Sequence, residues 1–189
     1  MAGTDQDEPG LGARLAIGAI AGFVATMAMT RAMRRLHRRL PARERYPLPP
    51  REITDRALAP PAGAAPDLTL IAHFAYGAGC GALLAAANPK VGRLGGALAG
   101  GGIWLASYMG WIPAFGVLRP ATEHPPHRNL VMLGAHFTWG WTAAEAMREL
   151  GAARSTVFAA GPALDAPGRA GGDPVSADRR RAAALQSRP

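Results

Sequence analysis

The stretch LGARLAIGAIAGFVATMAMT, residues 11–30, followed at once by RAMRRLHRRLP, residues 31–41, decides how this chain is read. Its first part carries a single charge, Arg14, close enough to the start for the long side chain to reach an interface. A helix of that length, rising ~1.5 Å per residue, crosses a hydrocarbon core of ~30 Å. The second part sets Arg31, Arg34, Arg35, Arg38 and Arg39 after the apolar run. A cleaved signal carries its positive charge before the apolar run, so this stretch reads as an anchor. Met29, Met33, Leu36 and Leu40 continue at helical spacing with arginines on the other face, until Pro41 stops the helix. Such a basic amphipathic turn suits the headgroups of an anionic leaflet.

The rest of the chain repeats the segregation of charge from apolar residues. Mean hydropathy is only +0.03, because charge-free blocks alternate with arginine-rich ones. A soluble helical domain interleaves the two at helical period instead. Further apolar blocks cover about 68–87, 94–112 and 129–147, giving four expected spans with the one at about 11–30. Pro113 interrupts the third block, which reaches Leu118, and predicts a kink or a short re-entrant segment there. Residues 1–10 read as a polar disordered leader, 11–150 as the helical membrane domain, and 151–189 as a disordered basic tail. The Pro-rich segment 41–67 reads as a polar loop, and Asn88-Pro89-Lys90 as a tight turn.

Nine arginines fall between Arg31 and Arg56, more than in any other connection. The positive-inside rule therefore puts loop 31–67 in the cytoplasm with loop 119–128, and the N-terminus, Lys90 and the tail outside. Topology already accounts for the basic pI of about 11.1, and no zinc-finger spacing or aromatic-interleaved basic stripe points to nucleic acid. The lone Cys80 excludes an intrachain disulfide and reads as a packing residue.

Two motifs recur. Ala72-His73-Phe74-Ala75-Tyr76-Gly77 matches Ala135-His136-Phe137-Thr138-Trp139-Gly140, and Gly18-Ala19-Ile20-Ala21-Gly22 matches Gly96-Ala97-Leu98-Ala99-Gly100. The order span, polar loop, His-bearing span thus occurs twice, which predicts an all-α membrane protein of two tandem, duplicated hairpins. Gly18, Gly22, Gly77, Gly96, Gly100 and Gly140 are expected at helix–helix contacts, where small residues let backbones approach.

His73 and His136 fall at matching positions, ~8–10 Å into their spans at the helical rise. Buried polar groups in membranes face the bundle interior and find a partner there. Arg51, Glu52, Arg119, Glu123 and His124 sit in loops on the same side, and with the two histidines are expected to form a cytoplasm-facing polar vestibule. Three roles compete for the histidines: hydrogen bonds that fix helix packing in a structural or partner-binding scaffold, handling of protons or small solutes, and bis-histidine haem ligation. The spacing of Glu123, His124 and His127 matches no standard metal site. No nucleophile elbow, phosphate-binding glycine loop or HExxH pattern is present, so no catalytic residue, metal or cofactor is expected. The partners expected are the lipid bilayer and a second copy of the chain.

Several of these segments resemble the YagU-like family of uncharacterised bacterial inner-membrane proteins. The resemblance rests on Leu40-Pro41 with Glu44, on Pro47-Leu48-Pro49-Pro50-Arg51-Glu52-Ile53-Thr54, on the first His motif, and on Leu118-Arg119-Pro120-Ala121-Thr122-Glu123-His124-Pro125. It covers about residues 12–150 and implies a multi-pass inner-membrane location, without implying an activity.

Overall fold

A computed structural model describes residues 9–158. The expected leader up to Glu8 and the expected tail beyond Phe158 lie outside the described residues. All regular structure among the described residues is helical: α1 (Leu11–His37), α2 (Pro49–Leu58), α3 (Ala65–Ala87), α4 (Arg93–Leu105), a π-helical segment (Ala106–Trp111), α5 (Ile112–Ala114) and α6 (Pro126–Ser155). Single 3-10 turns occupy Ala42–Glu44 and Ala121–Glu123. Two helices, α1 and α3, are long and apolar enough to cross a membrane.

Helix α1 runs through the basic segment to His37, three residues before the buried Leu40 and the Pro41 break. The segment expected as a featureless Pro-rich loop contains α2. Pro49 and Pro50 open that helix, where a missing N–H costs nothing and the fixed φ is already helical, and Glu52 stands in its first turn. Helix α6 reaches Ser155, a turn into the region read as tail.

The third apolar block breaks earlier than Pro113. Regular helix ends at Leu105, a π-helical turn follows, and Gly110 leaves helical geometry altogether at φ −111°, ψ −106°. Pro113 follows: it cannot donate to the carbonyl four residues back, and its ring crowds that turn. Pro113 itself lies comfortably at the start of α5.

The closely packed helix pairs are α1–α3, α1–α6 and α4–α6, all antiparallel. Glycine makes the first and last pairs possible. A Cβ built on Gly18 or Gly22 overlaps the Gly81 or Gly77 carbonyl, and one built on Gly96 or Gly100 overlaps the Gly140 or His136 carbonyl. Gly77 and Gly140 are equally closed, by the Thr26 hydroxyl and by Gly96. All six glycines expected at contacts are therefore at contacts. The two pairs differ in one respect: aligned on their histidines, the glycine contacts stand one turn apart.

The middle pair is held by larger side chains. Ala25, Met29 and Met33 of α1 pack with Met132, Ala135, Trp139 and Ala143 of α6. Thr26 Oγ donates to the Gly22 carbonyl at 2.7 Å, and Trp139 Nε1 donates to Thr26 Oγ at 3.2 Å. The polar side-chain atoms in this dry contact are thereby satisfied, as burial requires.

Candidate functional site

Helices α3 and α4 do not pack closely on each other, and the gap between them is a cavity of about 260 Å³. Its floor is Thr26 and Met29 of α1 with Met132, His136 and Trp139 of α6. Its walls are His73, Tyr76 and Cys80 on one side, and Trp104, Ser107, Tyr108 and Trp111 on the other. Pro49, Pro50, Ile53 and Thr54 of α2 close one end. Tyr76 and Trp111 are 45 % and 39 % exposed, which places the mouth between α3 and the π-helical segment.

The π-helical turn shapes one wall. Ser107, Tyr108 and Trp111 lie within it, and with Trp104 they fall at i, i+3, i+4 and i+7, one helical face that borders the cavity. Ser107 then ties the two walls: its Oγ lies 3.0 Å from the Tyr76 hydroxyl and accepts from Trp111 Nε1 at 3.2 Å. Trp104 and Tyr108 stack at 6.1 Å between ring centres, and Tyr76 lies 6.2 Å from Trp111.

Both motif histidines line this cavity, but their bonding differs. His136 Nδ1 lies 2.7 Å from the Met132 carbonyl, which can only accept. Nδ1 therefore carries the hydrogen, and Nε2 is left as an acceptor. His73 Nε2 is buried without a hydrogen-bond partner, and so is Trp104 Nε1. A buried polar group left unsatisfied costs about 1–3 kcal/mol, so two in one cavity mark it as a place for a ligand or water.

The loop residues expected beside the histidines go elsewhere. Arg51 pairs with Asp55 at 2.8 Å on the outer face of α2, and shares with His73 only a shallow second depression between α2 and α3. Arg119 pairs with Glu123 at 3.2 Å on the surface. His124 Nε2 lies 3.2 Å from the Arg119 carbonyl, and its ring packs 5.4 Å from Tyr108, behind the cavity wall. Glu52 turns towards Arg128, at 3.5 Å. No polar vestibule of all seven residues forms; a mostly aromatic and aliphatic cavity with two histidines does.

Arg128, which no sequence motif singles out, organises the cavity's end. Its side chain is 2 % exposed. One terminal nitrogen donates to the Glu44 and Tyr46 carbonyls at 3.2 and 2.9 Å. The other donates to the Pro47 carbonyl at 2.8 Å and faces Glu52. The guanidinium also lies 3.5 Å over the Tyr46 ring. This clamp fixes the chain just ahead of Pro49, and so sets α2 across the cavity. Glu44, 4 % exposed, is held beside it, with His127 Nδ1 at 3.4 Å from its carboxylate.

At the opposite end of the bundle, Arg93 at the start of α4 reaches Glu145 of α6 at 2.5 Å, and Arg148 joins it at 2.5 Å. Hydrogen bonding to the Glu145 carboxylate holds the pKa of both guanidiniums above its usual value. This exposed cluster joins α4 to α6 where the chain leaves the apolar block. Among the described residues no group of three or more His, Cys, Asp or Glu could hold a metal ion.

No family model, no curated protein and no solved structure matches the chain.

Proposed function

We propose that the chain is a multi-pass protein of a bacterial inner membrane, with four spans in two duplicated hairpins, that handles a small, largely apolar solute in the cavity between α3 and α4. The single observation that carries this reading is an apolar cavity lined by His73 and Trp104, each of which has a buried ring nitrogen without a hydrogen-bond partner. A pure packing scaffold has no use for either feature. Its histidines satisfy each other or the backbone, as only His136 does.

The membrane reading draws support from the outside of the bundle. Leu70, Ile71 and Leu83 of α3 face outward, with Leu83 70 % exposed, and Ile20, Val24 and Met27 of α1 and Leu94 and Leu98 of α4 are exposed as well. Water-facing surfaces of small proteins do not carry apolar faces of this extent. Small residues fill the inside while branched ones face out, which is the packing logic of helices in lipid. The chain is charge-free from Leu94 to Trp111 and from Asn129 to Ala144, so α4 with its π-helical extension and α6 complete the four spans. The arginine-rich end of α1, with α2 and the start of α6, faces the cytoplasm. The cavity mouth then opens sideways to the acyl chains, and a lipophilic solute reaches it from the bilayer.

The test is calorimetric titration of 1-ethylnaphthalene into detergent-solubilised protein and into the Cys80→Phe variant, whose added ring fills the cavity. Saturable binding to the wild type that the variant loses supports the reading. Equal, non-saturating heats from both contradict it.

A further inference from the structure

The unpartnered polar atoms of residues that line the cavity narrow the chemistry of its occupant, an inference that rests on the solute site proposed above. Trp104 Nε1 can only donate, so whatever satisfies it must bring an acceptor. His73 lines the same cavity, and its unpartnered Nε2 accepts or donates according to its tautomer. His136 Nε2, an acceptor by the bond its other nitrogen makes, adds a site for a ligand donor or a bridging water. The walls add shape. Trp104 and Tyr108 stack within 26° of parallel, and Tyr76 and Trp111, tilted 49° to each other, also line the cavity. A planar aromatic ligand gains area and offset or edge-to-face contacts among such rings. The volume of about 260 Å³ limits the occupant to one or two fused rings.

We infer that the cavity binds a planar aromatic carbonyl compound, its ring packed against the Tyr76 and Trp111 side and its carbonyl oxygen accepting in the plane of the Trp104 ring from Nε1. No Asp, Glu, Lys or Arg lines the cavity, so a carboxylate or an ammonium group is refused for want of compensation. The ligand is neutral and lipophilic, and partitions into the bilayer from which the mouth is reached.

A matched pair separates this inference from the reading it rests on. 1-Acetylnaphthalene and 1-ethylnaphthalene have the same ring and nearly the same shape, and differ by the carbonyl oxygen. Both are titrated calorimetrically into solubilised protein, with affinities referred to each compound's own partition into empty micelles. The expected result is that the ketone binds about tenfold tighter or better, and that Trp104→Phe erases this ratio between ketone and hydrocarbon, whatever it does to the affinity for 1-ethylnaphthalene itself. Saturable binding of both compounds with equal affinity overturns the carbonyl inference and leaves the solute site standing. Saturable binding of neither overturns both. Should Trp104→Phe fail to fold, the wild-type preference between ketone and hydrocarbon decides alone.

Discussion

Arg128 is the residue on which the geometry of the cavity's end depends. Its buried charge is matched by Glu52, three backbone carbonyls and the Tyr46 ring, all in a segment more than seventy positions earlier in the chain. Removing one partner of a buried charge pair costs about 3–5 kcal/mol, because the remaining groups stay buried and unpaired. Arg128→Ala is therefore expected to lower the thermal midpoint of the solubilised protein sharply. Arg128→Lys keeps the charge but cannot donate in two directions while lying flat on Tyr46, and is expected to recover less than half of the loss. Trp139→Phe is a milder case. It removes one donor bonded to Thr26 Oγ and the Gly22 carbonyl, and is expected to cost about 1 kcal/mol in the same measurement. The role of Arg128 is not legible in the sequence. An arginine ahead of an apolar span looks the same whether it faces water or folds beneath a distant loop.

At the scale of elements, the glycines are where the helix pairs are decided. Gly22→Val and Gly96→Val each drive a branched side chain into a facing carbonyl, and each is expected to separate its helix pair at a cost of about 1–3 kcal/mol or more. Gly79, on the outer face of α3 with nothing within 4 Å of a built Cβ, is the control. Gly79→Ala is expected to leave thermal stability unchanged or to raise it by about 0.5 kcal/mol. The glycine spacing makes the contact stripes legible in the sequence, since a close approach explains small residues at every fourth position. The register of those contacts is not legible there, because Gly and Ala tolerate a one-turn slip without a change in pattern. The same limit applies to the third apolar block. Pro113 announces a break, but the helix leaves regular geometry ahead of it, from Ala106 to Gly110, where no proline marks the place.

At the scale of the molecule, the interior and exterior are divided by size. Glycine, alanine and threonine meet inside at α1–α3 and α4–α6, and leucine, isoleucine and phenylalanine face outward. Hydropathy blocks carry that much of the design in the sequence. The cavity is only half legible: the recurring His motif marks His73 and His136, and Trp104, Tyr108 and Trp111 share one helical face by spacing, but nothing in the sequence says that α3 and α4 stand apart and leave a space between them. The loop charges expected at the site have nearer partners of their own, as Arg51 has in Asp55 and Arg119 in Glu123.

The proposed entry of a solute from the bilayer depends on four crossings, because only then does the cavity mouth face lipid. With Cys80, the single cysteine, replaced by alanine, one cysteine at a time can be introduced by Ala42→Cys, Lys90→Cys or Thr122→Cys. Labelling with a membrane-impermeant thiol reagent in intact cells and in inverted vesicles then reports the side of each position. Four spans predict that positions 42 and 122 react only in inverted vesicles and position 90 only in intact cells. Reaction of positions 90 and 122 on the same side of the membrane would mean that the third block does not cross, and would contradict the four-span reading.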